Sequence, residues 1–196
     1  NERKLKFDFP IDNSDSDIEI ANYNAIGGST IIYSGHFPRL HPSDFRTKKL
    51  DGVGTDWPLK YDDLVKYYKL NDKKMNVAGL KGDPAYPKSF GNLNKPLPIE
   101  LAGEKLAKAF NKLGWHWWPS YSAIITRDKF KRKKFKRNAH YNMSYPYSSR
   151  SSVDNTYLKL IKKNKIIIKE NTRAIKIILK NKKIAGGVIC KNKNNK

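Results

Sequence analysis

Apolar positions recur at helical spacing in three windows of the chain. In "LKYDDLVKYYKLNDKK", Leu64, Tyr67, Tyr68 and Asn71 share a face. Asp62 and Asp63 stand in its first turn, where carboxylates suit the helix dipole. "IELAGEKLAKAFNKLG" predicts an amphipathic helix with Leu101, Leu106, Phe110 and Leu113 as its stripe and Gly114 as its stop. "SSVDNTYLKLIKKN" predicts a third helix, ended by Asn164. Three β-rich runs close the chain: "KIIIKE", "AIKIILK" and "IAGGVIC". The first predicts a strand over 165–170. The other two flank "NKK" and predict an antiparallel hairpin, 173–180 with 183–190. Between the helices, "LDGVGTDWP" is turn chemistry and "WHWWPS" is an extended bulky segment. Val77–Pro98 is a long Pro/Gly-rich connection, of a length that tends to form lids or covers. No internal repeat is present. The mixture implies an α/β (mixed α+β) fold.

Composition changes this picture little. The 196 residues are 38% hydrophobic and 12% aromatic, enough for a core, and mean hydropathy is −0.74. Charge is more informative. The net +22 is unevenly spread: residues 1–100 hold 15 basic and 14 acidic residues, and residues 101–196 hold 25 and 4. The densest run is "RDKFKRKKFKR", Arg127–Arg137, with Phe130 and Phe135 between the cations. It reads either as a solvated surface loop or as a groove for single-stranded nucleic acid, and the charge of this half offers as an alternative function a basic nucleic-acid-binding module centred on residues 101–196. Cys190 is the single cysteine, so an intrachain disulfide and an all-cysteine metal site are excluded. No apolar run reaches the roughly 20 residues that span a bilayer. The chain starts at Asn1 and ends in "KNKNNK" after a strand-like run, as an internal fragment would.

Candidate chemistry centres on "IGGSTIIYSG", Ile26–Gly35. Adjacent glycines followed by two hydroxyl residues read either as an ordinary turn or as backbone that an anion approaches closely. The second reading predicts a turn after a strand, with Gly27 and Gly28 N–H groups facing a cleft. "GVG" at Gly52–Gly54 lacks the third glycine of a dinucleotide fingerprint and is a turn. His36, His41, His116 and His140 show no metal-ligand or nucleophile spacing, so neither a catalytic residue nor a metal ligand is assigned.

In order and spacing, "GGSTIIYSGHFPRLHPSDF", "DGVGTDWPLKYDDLVKYY", "LGWHWWPSYSAIITR", "SSVDNTYL" and "NTRAIKI…KKIAGGVIC" resemble the glucose–methanol–choline (GMC) family of flavoprotein oxidoreductases, in its gluconate- and polyol-dehydrogenase branch. The resemblance implies FAD as cofactor. Gly27, Gly28, Ser29 and Thr30 match the segment along its diphosphate. Tyr33, Ser34 and Gly35 match positions that reach the isoalloxazine, and Ala174 matches a backbone contact to the adenine. It implies a partial FAD-binding Rossmann-like domain with part of an interleaved substrate domain. Residues 1–60 and 151–196 would belong to the former, and 61–150 would form a helix, lid and substrate-side cover.

The reaction so implied is oxidation of an alcohol carbon on a sugar, sugar acid or other polyol, with hydride passing to flavin N5. The partners implied are that small-molecule substrate and an electron acceptor, a cytochrome in some relatives; no nucleic acid is implied. The sequence also departs from the family pattern. The family's G-x-G-x-x-G turn and its catalytic histidine lie outside this chain, so the chain alone is expected to turn over no alcohol. Cysteines frequent in this branch are missing from Asn138–Ser149, and Lys60 stands where a Ser or Thr helix cap is usual.

Overall fold

The computed structural model describes residues 14–18, 23–88, 91, 93–129, 131–136, 148–163 and 166–192. It is a mixture of helix and sheet in two compact units, one running to Lys159 and the other starting at Leu160.

The first unit holds short 3₁₀ helices at Gly28–Ile31 and Pro42–Arg46, then α1 (Thr47–Asp51), α2 (Tyr61–Met75), α3 (Leu101–Leu113) and α4 (Val153–Thr156). Helix α2 is the one its spacing predicts. Lys60 supplies no side-chain cap, but the Asp63 carboxylate accepts from the Lys60 N–H at 2.8 Å. This is half of a capping box. Asn76 ends the helix in the left-handed region at φ 52°, which Asn tolerates better than most residues. Of the expected face, Leu64, Tyr68 and Asn71 are half-buried and Tyr67 is exposed; the fully buried positions of the helix are Tyr61, Asp72 and Met75. Helix α3 ends at left-handed Gly114 as expected, but Leu101, Leu106 and Leu113 are all exposed. Its buried contact is Ala107, and Phe110 sits 5.8 Å from the Trp115 ring.

The centre of this unit is not a helix but the extended strip Tyr121–Ile125. Its backbone is bonded to several distant segments. Phe37 N–H donates to Tyr121 O (2.8 Å) and Ala123 N–H to Gly35 O (2.7 Å). Ser122 and Ala78 exchange both bonds (2.7 and 2.9 Å). Ser151 N–H donates to Ala123 O (2.7 Å), and Ile125 N–H to Ser149 O (2.8 Å). Around the strip, Met75, Val77, Tyr121 and Ala123 form one buried cluster, and Ala78, Ile124 and Phe135 another. Val77–Pro98 is therefore not simply a cover: it starts as core, with Val77 and Ala78 buried.

The basic run is likewise tied down. Arg132 and Phe135 are buried, and Phe135 N–H donates to Ile125 O at 2.8 Å. A ring packed on Ala78 and Ile124 cannot stack on a base, so the groove reading loses this aromatic. Phe130 lies outside the described residues. A buried ion pair, Arg39 Nη2 to Asp72 Oδ2 at 2.5 Å, ties the 35–40 segment to α2.

"SSVDNTYLKLIKKN" forms two short helices, α4 and α5 (Leu158–Lys163), interrupted at Tyr157. Tyr157 itself keeps helical backbone angles (φ −76°, ψ −33°) with its N–H bonded to Val153 O; it is half-buried and its hydroxyl donates to Asn71 Oδ1 at 2.8 Å. The expected stop, Asn164, lies outside the described residues.

In the second unit, β1 (Thr172–Lys180) pairs antiparallel with β2 (Ile184–Asn192), close to the predicted hairpin. Asn181 and Lys182 both take positive φ, 51° and 59°, and Lys183 N–H donates to Lys180 O at 3.3 Å. Two positive-φ centres give the turn the twist that hairpins favour. The predicted strand at 165–170 is not formed over its described part. Among the described residues nothing pairs with 166–169, and Ile167 is 82% exposed. An apolar run becomes a strand only when a neighbour accepts its ladder. No helix of the described residues is long and apolar enough to cross a membrane.

Candidate functional site

The Gly-Gly-Ser-Thr segment is a turn followed by a 3₁₀ helix. Gly27 sits at φ 102° and Gly28 at φ 57°, and Gly28 N–H donates to Ala25 O at 2.8 Å. That amide closes the turn, so it does not face outward as expected. Residues 23–26, directly before the turn, are not in a strand, and residues 19–22 lie outside the described residues.

The loop has two unlike faces. On the inward face it docks on residues 150–154. A Cβ on Gly27 would lie 3.2 Å from both Asp154 N and Asp154 Cβ. Thr30 Oγ1 donates to Gly27 O at 2.5 Å and accepts from the Val153 N–H at 3.0 Å. The Tyr33 hydroxyl donates to Ser151 O at 2.5 Å. Gly35, at φ 82°, lies against Arg150, whose Cγ would be 3.3 Å from an added Cβ. The Arg150 guanidinium donates to Ile31 O through Nη2 and to Tyr33 O through Nη1.

On the outward face stand Gly28, Ser29, Ile32 and Ser34. A Cβ on Gly28 would meet no atom within 4 Å. The Ser29 hydroxyl accepts from the Tyr23 N–H at 3.2 Å. So the open side offers bare backbone at Gly28, the Ser29 and Ser34 hydroxyls and the exposed Ile32 side chain, while the Thr30 and Tyr33 side chains are turned inward. This arrangement fits FAD: it leaves room for close approach and provides polar atoms beside it. Of the remaining expected site residues, Ala174 lies on β1 in the second unit, exposed and opposite Cys190.

The inward face is electropositive. Arg132 Nε donates to Ser148 O and Nη2 to Ser151 Oγ, each at 2.8 Å. Burial lowers the pKa of both Arg132 and Arg150, with Tyr33 and Asp154 opposing. Burial also pushes the Tyr33 phenol up to about 12 against the pull of Arg150 and Arg132, and pushes Tyr121 up to about 12. These raised values hold both phenols neutral in the fold, whereas an unfolded tyrosine ionises near 10. The unfolded chain therefore releases these protons first, and their stabilising contribution is lost as pH rises from about 10 to about 12. We expect an alkaline titration of phenolate absorbance to show at least two tyrosines ionising only with unfolding. Full ionisation near pH 10 in the folded protein would contradict the burial of these groups.

Three histidines are placed. His36 Nδ1 lies 2.8 Å from Ser120 Oγ, His41 stacks on Tyr86 at 4.0 Å, and His116 Nε2 lies 3.0 Å from the buried Asp83. His140 lies outside the described residues. No cluster able to hold a metal occurs among the described residues. Sequence reasoning passed over Arg150, Ser151 and Asn155, which build the inward face. Ser151 and Asn155 lie within "SSVDNTYL" and Arg150 directly before it, a stretch read as the start of a helix and as part of the family resemblance, with no role assigned to its residues.

The GMC oxidoreductase family profile matches residues 14–196. The chain is 42% identical over 132 residues to the 2-methyl-1,2-propanediol dehydrogenase of Mycolicibacterium austroafricanum, covering 66% of this chain and 23% of that protein. It is 35% identical over 107 residues to the 6'''-hydroxyparomomycin C oxidase of Streptomyces lividus, covering 50% and 19%. It is 28% identical over 105 residues to the fructose dehydrogenase large subunit of Gluconobacter japonicus, covering 52% and 19%. The matched stretch is thus less than a quarter of each of these curated relatives. With the profile running through the two-faced loop, the helices and the hairpin, the chain belongs to the GMC oxidoreductase family.

Proposed function

We propose that this chain forms part of the cofactor site of an FAD-dependent oxidoreductase acting on the CH–OH group of a polyol or sugar. The observation that carries the reading is the loop 27–35, with one face docked and the other left bare. Residues 1–60 and 151–196 serve a Rossmann-like FAD domain, and residues 61–150 lie toward the substrate. Bound flavin would supply the hydride acceptor. The chain's own residues bind and orient: Gly28 allows close approach, the Ser29 and Ser34 side chains stand at or near the diphosphate and ring, and Thr30, its hydroxyl turned inward, offers its backbone beside them. The backbone of Tyr33 and Gly35 runs beneath the ring, and Ala174 offers its backbone to the adenine. The substrate class follows the names of the relatives, which include a diol dehydrogenase and a fructose dehydrogenase.

The full-length protein is expected to retain FAD and to reduce a dye with a 1,2-diol or a ketose. Gly28→Ala is the sharper probe. The new methyl meets nothing in the protein, and αL backbone costs Ala only about 1–2 kcal/mol. The variant should keep its fold and bind FAD about tenfold more weakly. A full-length protein that holds no flavin would overturn the reading.

A further inference from the structure

We propose that Arg150 is a positioning residue for the cofactor-facing loop: one buried guanidinium grips the carbonyls of Ile31 and Tyr33 and so sets the path of residues 31–35. The proposal rests on the reading of this loop as part of the FAD site.

Four observations converge on it. First, the two acceptors lie two residues apart on one loop, and Arg150 reaches both, Nη2 to Ile31 O and Nη1 to Tyr33 O. A planar fork with fixed N–H directions fixes the spacing of two acceptors; an ammonium is a single point charge. Second, the same side chain backs Gly35, with Cγ and Cδ at 3.3 and 3.4 Å from where a Cβ would stand. Only glycine lets the loop lie this close at φ 82°. Third, the guanidinium carbon lies 5.6 Å from the Tyr33 ring centroid. The arginine therefore touches the loop at 31, 33 and 35. Fourth, Arg150 is itself held. Asn155 Nδ2 donates to Arg150 O at 2.9 Å, and Ile124 and Arg150 form an antiparallel bridge. Neither acceptor is acidic, so the contact does not serve as an ion pair. Its effect is to hold neutral backbone in one place.

A ligand laid on the outward face meets backbone whose position is set from behind. Loosening the fork should therefore weaken and blur cofactor binding before it unfolds the protein. Arg150→Lys keeps the charge and loses the fork. Asn155→Ala leaves the fork and loosens its anchor. Arg39→Lys serves as control, since it weakens a buried pair tied to α2 rather than this loop.

The readouts are FAD affinity of the full-length apoprotein, resolution of the bound flavin's visible bands, and thermal midpoint. The expected result is that Arg150→Lys binds FAD about tenfold or more weakly. Its flavin bands should broaden, and its midpoint should fall no further than that of Arg39→Lys. Asn155→Ala should shift affinity the same way by a smaller factor, and Arg39→Lys should leave affinity unchanged. Equal affinity and identical bands in wild type and Arg150→Lys would overturn the positioning role while leaving the FAD reading intact. If Arg150→Lys does not fold, wild-type affinity and bands in Asn155→Ala would overturn it instead. A wild-type protein that takes up no FAD would overturn both.

Discussion

Asp72→Ala is expected to destabilise the first unit by about 3–5 kcal/mol, because it strands a buried guanidinium. Arg39 and Asp72 meet at 2.5 Å with side chains 3% and 5% exposed. Asp72 lies in the last turn of α2, where the helix dipole disfavours a carboxylate. Its place is explained by Arg39, not by the helix. Burial raises the Asp72 pKa, with Arg39 pulling it back. A pair whose desolvation is this prominent adds little net stability, yet cannot lose one member cheaply. The surroundings fit that view. Arg39 Nη1 is 3.3 Å from the Tyr61 hydroxyl, its guanidinium lies 5.1 Å from the Tyr68 ring, and Tyr86 donates to its carbonyl at 2.8 Å. Replacing both residues, as in Arg39→Met with Asp72→Leu, should recover most of the loss. Urea denaturation of the single and double variants measures both effects. A single variant within about 0.5 kcal/mol of wild type would show that the pair is not buried as described.

Phe135→Ala is expected to destabilise the same unit by about 3–5 kcal/mol, the range for a buried phenylalanine. This is a sharp expectation for a residue in the most basic stretch of the chain. Phe135 is 6% exposed and packs with Ala78, Ile124 and Leu97. Its neighbours Lys131, Lys133, Lys134 and Lys136 are exposed. Lys131→Ala and Lys136→Ala should change stability by no more than about 0.5 kcal/mol. Denaturant midpoints compare the three variants. A Phe135→Ala protein as stable as the lysine variants would return this run to the solvated-loop reading and reopen a nucleic-acid role.

The helices α2 and α3 and the hairpin were legible because each is encoded locally. A 3.6-residue period, acidic first turns, Gly114 and "NKK" all act within a few residues. The glycine loop was legible as a turn for the same reason. The outward direction expected for the Gly28 amide was not, because the Ala25 carbonyl takes its proton. What stayed hidden is pairwise and distant. The strip Tyr121–Ile125 touches its neighbours through isolated bridges, which leave no period to read. Arg150 finds acceptors 117 and 119 residues away, and Arg39 its acid 33 away. The burial of Arg132 and Phe135 inside a lysine run shows the same limit. Composition reports the run's average, while packing selects single members of it.

The strip Tyr121–Ile125 also bears on the order in which the chain can fold. Its partners lie near residues 35, 78 and 150, so each backbone bond closes a loop of tens of residues. Loop-closure entropy must be met before such contacts return anything, and topologies of this kind reach their barrier slowly. During synthesis the glycine loop leaves the ribosome long before Ser151 and Arg150 exist to hold it. Until then it has no inward face, and its two glycines remain the freest part of the growing chain. The loop's docked shape therefore depends on partners synthesised more than a hundred residues after it, in the segment at 149–155.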